Sequence, residues 1–490
     1  MGRKSYRKYA VIVMVLLMAV MTVMLTGCGK SYEYIFGDAE WMSTYKEKSS
    51  DAEVKTVKDT FYYSDDWFAD DPGSENSELA LASMQLTAAC VSDEDDGMGA
   101  EFLRSMGFEE VGFSDFESDD PDDCNYTWAR KTAGDRTIVA VAIQSTSTDP
   151  EIKNKGWKQN FIINDPDSAD SSGEHYAYGK AADSALDDIA ALAGDGDTSF
   201  WITGQSRGGA IANVLAVRLS EKTPDAKIFA YTFEAPATVD ADAEGSYKNI
   251  HNYLCSDDIV THFPMWGMTR YGVTHELKTK ETDEKLAETL EALGSEAAGM
   301  KPRIVTDDAV ERIAANLEKA VPSRADYSAQ RTDSWTDAEG NKHELTYSYQ
   351  EAFVKLMDMV FRKDASGSLF EGLASRKGDL EGAINHLTEG VKAEAKGDDP
   401  AAAYWEASVE LYDVLDEVSG GDMPVSEEDL YKVIRFAAPV LIEMPEDGGE
   451  ADTELLTDVI GYNRELMYSH QFDTIIARLK ILAPAPEKQG

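Results

Sequence analysis

Ser199-Phe-Trp-Ile-Thr-Gly-Gln-Ser206-Arg-Gly-Gly-Ala-Ile-Ala-Asn-Val-Leu-Ala-Val-Arg-Leu219 passes from an apolar run, through a serine flanked by glycines, into a run with a different period. Ser199–Thr203 is short, aromatic and β-branched, the composition of a strand covered on both faces. From Gly208, the residues Ile211, Val214, Leu215, Arg218 and Leu219 recur at helical spacing. Between them, Gly204-Gln-Ser-Arg-Gly208 is a G-x-S-x-G match. Roughly 0.2 such matches arise by chance in a chain of this length, so the strand before and the helix after carry the reading. A tight strand-to-helix bend lifts the Ser206 hydroxyl above the sheet edge, and the flanking glycines let the two backbones approach. The Arg207 amide, at the helix N-terminus, then faces negative charge developing on a substrate oxygen.

Outward from this stretch the same pattern repeats. Thr137–Ile143 and Ile228–Phe233 are further buried-strand runs, the second ending at Glu234-Ala-Pro236. A helical pattern covers His175–Leu192, and others cover Leu79–Cys90 and residues 100–107. Strand–helix alternation predicts a parallel sheet with crossover helices. After residue 276 the chain turns helical, with amphipathic patterns over 281–293, 306–320, 347–361, 379–395, 400–417 and 426–443. Ser426-Glu-Glu-Asp429 opens the last of these like a capping box, and Pro439 is expected to kink it. Thr332–His343, with Gly340-Asn341, has the marks of a turn or small hairpin. Residues 29–60 are polar and weakly periodic and read as a tether. No internal repeat has a fixed period.

The chain has 490 residues and is 43% hydrophobic, which excludes global disorder. With 91 acidic and 46 basic residues its formal charge is −45, which repels phosphate backbones and argues against nucleic-acid partners. The acidic runs Asp93–Asp96 and Asp119–Asp123 do not fit the EF-hand ligand spacing and read as solvated loops. No Cys/His spacing suggests zinc, so neither metal nor organic cofactor is expected. Arg3, Lys4, Arg7 and Lys8 precede an apolar run from Ala10 to Leu25, the layout of a secretory signal. Its end, Leu25-Thr-Gly-Cys28, resembles a bacterial lipobox. The resemblance implies a diacylglyceryl Cys28 and a chain anchored by lipid to the extracytoplasmic face of a bacterial cell membrane. Of the other cysteines, Cys90 and Cys124 form a conceivable disulfide, leaving Cys255 over.

A serine at its free pKa needs a base oriented by an acid, and behind a G-x-S-x-G turn the chain order is serine, acid, histidine. Ile250–Cys255 is a short strand-like run, and Asp258 follows it on the ligand side of a parallel sheet. Asp257 is its rival, and spacing does not separate the two. The later histidines are His262, His275, His343, His386 and His470.

Together these residues resemble the class 3 lipases, over roughly residues 60–276 and the last thirty. Asn252 through Pro264, with Asp258-Ile-Val260, is similar to the stretch carrying that family's catalytic Asp, with Thr261 where a proline is usual. Phe233-Glu-Ala-Pro236 resembles its F-G-A-P strand end, and His175-Tyr-Ala-Tyr-Gly179 its H-x-G-F helix start. Gln144-Ser145-Thr146, followed by Trp157 and Asn160-Phe161, resembles its R-G-T segment, with Gln-Ser in place of Arg-Gly.

The resemblance implies an α/β-hydrolase fold with a mostly parallel sheet and a large helical cap insertion. Its segments are 1–27 signal, 28–60 tether, 61–276 core, 277–455 cap and 456–490 a C-terminal core helix bringing the base. It assigns Ser206 as nucleophile, Asp258 as acid and His470 as base, and it gives the oxyanion to the Arg207 and Thr146 amides; His275, at a place that resembles a family position usually not the base, is kept as the rival base. The substrate class it implies is an acyl ester, lipid esters among the candidates, with the cap over the site and its motion as a lid left open. Against this stands a surface lipoprotein that keeps the fold and uses the cap for binding without catalysis.

Overall fold

The computed structural model describes residues 32–43, 55–90, 97–115, 122–146, 158–165, 173–241, 247–299, 307–361, 376, 378–421, 425–445, 449–457 and 468–486. Cys28, the acidic run 93–96, residues 119–121 of the second acidic run, and Trp157 lie outside them.

The first elements correct the expected tether. β1 (Ile35–Met42) and β2 (Thr56–Tyr63) pair antiparallel, Ile35 opposite Tyr63 and Met42 opposite Thr56. Trp41, Phe61 and Tyr63 are buried against the rest of the molecule. Along β1 only Ala39 and Trp41 are buried, alternating with more exposed neighbours. Two buried positions in eight make too weak a period-2 signal to register in the sequence.

α1 (Ser77–Ala89) and α2 (Met98–Ser105) follow, then β3 (Glu110–Phe113), β4 (Tyr126–Ala133) and β5 (Arg136–Ile143). Next come α3 (Tyr176–Ala190), β6 (Asp197–Gln205), α4 (Arg207–Lys222) and β7 (Lys227–Phe233). β8 (Val239–Asp240), β9 (Ile250–Leu254), β10 (Met268–Thr269) and β11 (Val273–Glu276) complete this part. β8 and β10 pair with each other, and the remaining strands from β3 on form one sheet, ordered β11-β9-β7-β6-β5-β4-β3. β5, β6, β7, β9 and β11 are parallel, whereas β3, β4 and β5 form an antiparallel meander at one side.

The near-continuous apolar strands are explained by cover on both faces. Val139, Val141, Ile143, Phe200 and Ile202 meet α3 and α4 on one face. Ile138, Ala140, Trp201 and Phe229 meet α1, the β1–β2 hairpin and the last helix on the other. The cysteines divide the same way, Cys90 on the second face and Cys124 on the first. Both are free, so the conceivable Cys90–Cys124 disulfide is not formed; the sheet stands between them.

The helical region comprises α5 (Lys280–Ala292), α6 (Asp307–Ala320), α7 (Arg324–Ser328), the hairpin β12 (Arg331–Thr336) and β13 (Lys342–Tyr347), α8 (Tyr349–Phe361), α9 (Glu381–Lys396), α10 (Ala401–Ser419) and α11 (Glu427–Leu441). From α6 onward it has its own aromatic core, built on Trp335, Tyr347, Trp405 and Tyr431. α5 differs: Leu286 and Leu290 pack in the cluster of Phe472 and Ile475, so this helix belongs to the sheet's outer layer and the cap begins after it. Ser426 caps α11, its side chain accepting from Asp429 N–H as the sequence predicts. The whole is a mixed α/β architecture of α/β-hydrolase type, a central sheet flanked by helices and carrying a helical cap insertion. Among the described residues no helix is long and apolar enough to cross a membrane.

The last helix, α12 (Phe472–Leu482), is tied in by a buried carboxyl. Asp473, fully buried, accepts from Trp41 Nε1 at 2.9 Å, Ser43 Oγ at 2.8 Å and Ser295 Oγ at 2.6 Å. One side chain thus joins the N-terminal hairpin, the turn after α5 and α12. Asp473→Ala removes the acceptor of a buried indole N–H and of two hydroxyls, and a loss of about 3 kcal/mol is expected in urea unfolding.

Candidate active site

Ser206 sits where β6 becomes α4, with φ 56° and ψ −128°. A positive φ at a residue with a Cβ costs about 1–3 kcal/mol and persists only when its surroundings impose it. Here the Ser206 N–H donates to the Phe233 carbonyl at 2.9 Å, and its own carbonyl accepts from Ala210 N–H at 3.0 Å. The bend is tight enough that a Cβ on Gly204 would lie 2.3 Å from the Gly208 carbonyl oxygen. One on Gly208 would lie 2.5 Å from that of Ile143. The glycines of the motif are therefore required by backbone contact between strand, helix and the end of β5.

Asp258 caps the short 3-10 turn Ile259–His262, its Oδ1 accepting from Val260 N–H at 3.0 Å. Its Oδ2 lies 2.6 Å from His470 Nδ1. With Nδ1–H donated to the carboxyl, the lone pair of His470 is on Nε2. Asp258 is fully buried, whereas His470 keeps 8% of its surface open. The neighbouring Asp257 turns to Lys278 instead, Oδ2 to Nζ 3.0 Å.

Gln205 joins the two halves of the site. Its Nε2 donates to the His470 carbonyl at 2.9 Å, and its Oε1 accepts from Ser145 Oγ at 2.9 Å. The residue next to Ser206 therefore holds both the loop that brings His470 and the segment that contains Thr146. Nothing in the sequence marks this role, since its partners lie 60 and 265 residues away.

The other histidines are engaged elsewhere. His275 on β11 is level with Tyr253, Phe233 and Gln205 across successive strands, three spacings from β6. At about 4.8 Å per strand that is about 14 Å. Its Nε2 is 3.0 Å from His251 Nδ1 and its Nδ1 3.5 Å from Glu75. His262 Nε2 donates to the Ser256 carbonyl at 3.0 Å. In the cap, His343 lies 2.8 Å from Asp337, and His386 lies beside Glu389 and Glu410.

Thr146, next to the Ser145 that donates to Gln205, is half-buried, its Oγ1 accepting from Asn160 Nδ2 at 3.3 Å. The Asn160 carbonyl in turn accepts from His175 Nε2–H at 3.2 Å. Burial presses the His175 pKa down to about 3, so the ring is neutral at pH 7. This has a consequence for stability. Between about pH 6.5 and pH 3 the unfolded chain takes up a proton that the folded one refuses, so stability falls with falling pH across that window. By pH 4.5 the loss from this one group is about 3 kcal/mol. His175→Gln is expected to flatten the acid limb of urea midpoint against pH.

Arg207 directs its guanidinium away from water, to the Asp123 carbonyl and the Gln159 side chain. The cap meets the core at this end of the sheet. Phe353 of α8 packs on Phe161 at 4.8 Å between ring centroids and on Phe263 at 5.2 Å, joining the segments after Thr146 and after Asp258. Among the described residues, no group of three or more His, Cys, Asp or Glu side chains is placed to hold a metal ion.

Residues 141–268 match the family model described as Lipase (class 3). The matched stretch holds Ser206, Arg207, Thr146 and Asp258, and excludes His470 and the cap. No curated protein matches the chain. Among solved structures, it is similar to the Lip2 lipase of Yarrowia lipolytica at 15% identity, over 41% of this chain and 78% of that one, with a TM-score of 0.29. The corresponding figures for a Rhizomucor miehei lipase–propeptide complex are 17%, 42%, 69% and 0.30. For a triacylglycerol lipase of Penicillium expansum they are 17%, 40%, 76% and 0.26.

Proposed function

We propose that this chain is a serine carboxylester hydrolase of lipase or esterase type. The observation that carries the reading is the Asp258–His470 pair, held through Gln205 beside a serine at positive φ on a strand-to-helix bend. Ser206 Oγ attacks the acyl carbonyl while His470 Nε2 takes its proton. Asp258 keeps the ring in the Nδ1–H tautomer and stabilises the imidazolium. The Arg207 and Thr146 amides hold the oxyanion, a contribution of about 3 kcal/mol per donor. The imidazolium protonates the departing alkoxide, leaving an acyl-Ser206. His470 then activates water to release the acid. The match of residues 141–268 to the class 3 lipases supports the ester as substrate class.

The strongly acidic surface disfavours polyanionic substrates. Leu25-Thr-Gly-Cys28 supports placing the enzyme on the extracytoplasmic face of a bacterial membrane, held there by a lipidated Cys28. The test is a fluorophosphonate probe together with short-chain p-nitrophenyl esters. Covalent labelling that maps to Ser206, with ester turnover, is expected. A chain that neither labels nor turns over is a binding protein, and the reading fails.

A further inference from the structure

Glu234 lies immediately after Phe233, whose carbonyl holds the Ser206 amide. It has φ 44° and no solvent exposure. In the F-G-A-P pattern that Phe233–Pro236 resembles, this place belongs to glycine, the residue suited to positive φ. A glutamate held there against its backbone preference puts a carboxyl behind the acid of the site. Oε2 of Glu234 accepts from Cys255 N–H at 3.0 Å, and Oε1 has no hydrogen-bond partner among the described residues. The neighbouring carboxyl is that of Asp258, fully buried as well, whose N–H donates to the Cys255 carbonyl at 3.1 Å.

Two ionised carboxylates accept only, so the unpartnered Oε1 finds a partner in Asp258 only if it carries a proton. Around Glu234 stand Asp258 with His470 beyond it, the Cys255 thiol with Asp257 and Arg478 beyond it, and Arg270. Arg270 is buried and donates to the carbonyls of Ala235, at 2.6 Å, and Thr261. Its one positive charge balances one carboxylate, and a second in the same dry space would be uncompensated. Burial, and then repulsion from Asp258, push the Glu234 carboxyl well above the usual range.

We propose that Glu234 is a neutral carboxylic acid that donates its proton to Asp258, making it a positioning residue that fixes the carboxylate which in turn fixes His470. The positioning role rests on reading Ser206, His470 and Asp258 as a triad; the shared proton does not. Because the folded-state pKa is raised, the folded chain holds this proton at pH values where the unfolded chain has lost it. The associated stability is present at low pH and is lost as pH rises through the folded value. Ionisation at high pH sets two negative charges against each other and disturbs the Asp258–His470 alignment, giving an alkaline limb to activity.

Glutamine copies the neutral acid, with one oxygen to accept from Cys255 and one amide to donate to Asp258; alanine does neither. Three readouts on the full chain follow. The infrared C=O stretch of a protonated carboxyl, present at pH 7, disappears in Glu234→Gln. The downfield proton resonance of His470 Nδ1–H moves in Glu234→Ala and is retained in Glu234→Gln. With a p-nitrophenyl ester, Glu234→Ala lowers kcat about tenfold at nearly constant KM, and Glu234→Gln restores it to within about threefold with a flatter alkaline limb. The proposal is overturned if Glu234→Gln removes no protonated-carboxyl band, or if glutamine rescues no better than alanine. A wild-type chain without turnover overturns the triad reading and the positioning role with it, while the band and the resonance still decide the shared proton.

Discussion

Ser206→Ala is expected to lower kcat on a short-chain p-nitrophenyl ester by about 10⁵-fold and to abolish fluorophosphonate labelling. The size follows from the chemistry: without Oγ no acyl-enzyme forms, and only the oxyanion donors and substrate binding remain. The substitution tests chemistry and not folding. Alanine keeps the Cβ already accommodated at φ 56°, and the bonds that impose the bend, from Ser206 N–H to Phe233 and from Ala210 N–H back to Ser206, are made by main chain. An unchanged urea midpoint is therefore expected alongside the lost rate. A Ser206→Ala chain that still turns over ester at a tenth of the wild-type rate would place the nucleophile elsewhere.

The second large effect separates the histidines. His470→Ala is expected to cost about 10⁵-fold in kcat, because the serine then has no base, and Asp258→Asn about 10⁴-fold, because the amide favours the wrong imidazole tautomer. His275→Ala leaves labelling intact, since that ring sits three strands from β6 and is bonded to His251. Asp257→Asn likewise leaves kcat within about threefold, as its partner is Lys278. The reverse pattern, with His275→Ala silent to the probe and His470→Ala labelled normally, would remove His470 from the site.

How much of this was legible depended on distance along the chain. The bend at Ser206 is a local event: strand, turn and helix lie within about twenty residues, and each glycine marks a main-chain contact. The helices from 281 to 443 were readable for the same reason, their apolar faces recurring every three or four residues. The β1–β2 hairpin was not readable, because its buried residues are few and the surface they cover is built by α1, α2 and α12. Nor does a local pattern say which carboxyl meets an imidazole 212 residues away. Asp257 and Asp258 are chemically alike and adjacent, and the turn Ile259–His262 alone sends one to His470 and the other to Lys278. Glu234 did leave a trace, an acid where the resembled pattern has glycine, yet its meaning waits on the strand order that brings β7 beside β9.

Period and motif, which act over a few residues, were enough to predict a mainly parallel α/β sheet, a serine at a strand-to-helix bend and a helical insertion after the sheet. Folding in three dimensions settled the partners: His470 at Asp258, Gln205 between Ser145 and His470, and a supposed tether turned into buried sheet. The division has one cause. Backbone conformation responds to near neighbours, whereas a hydrogen bond between residues hundreds of positions apart depends on how every intervening element packs, which no local pattern encodes.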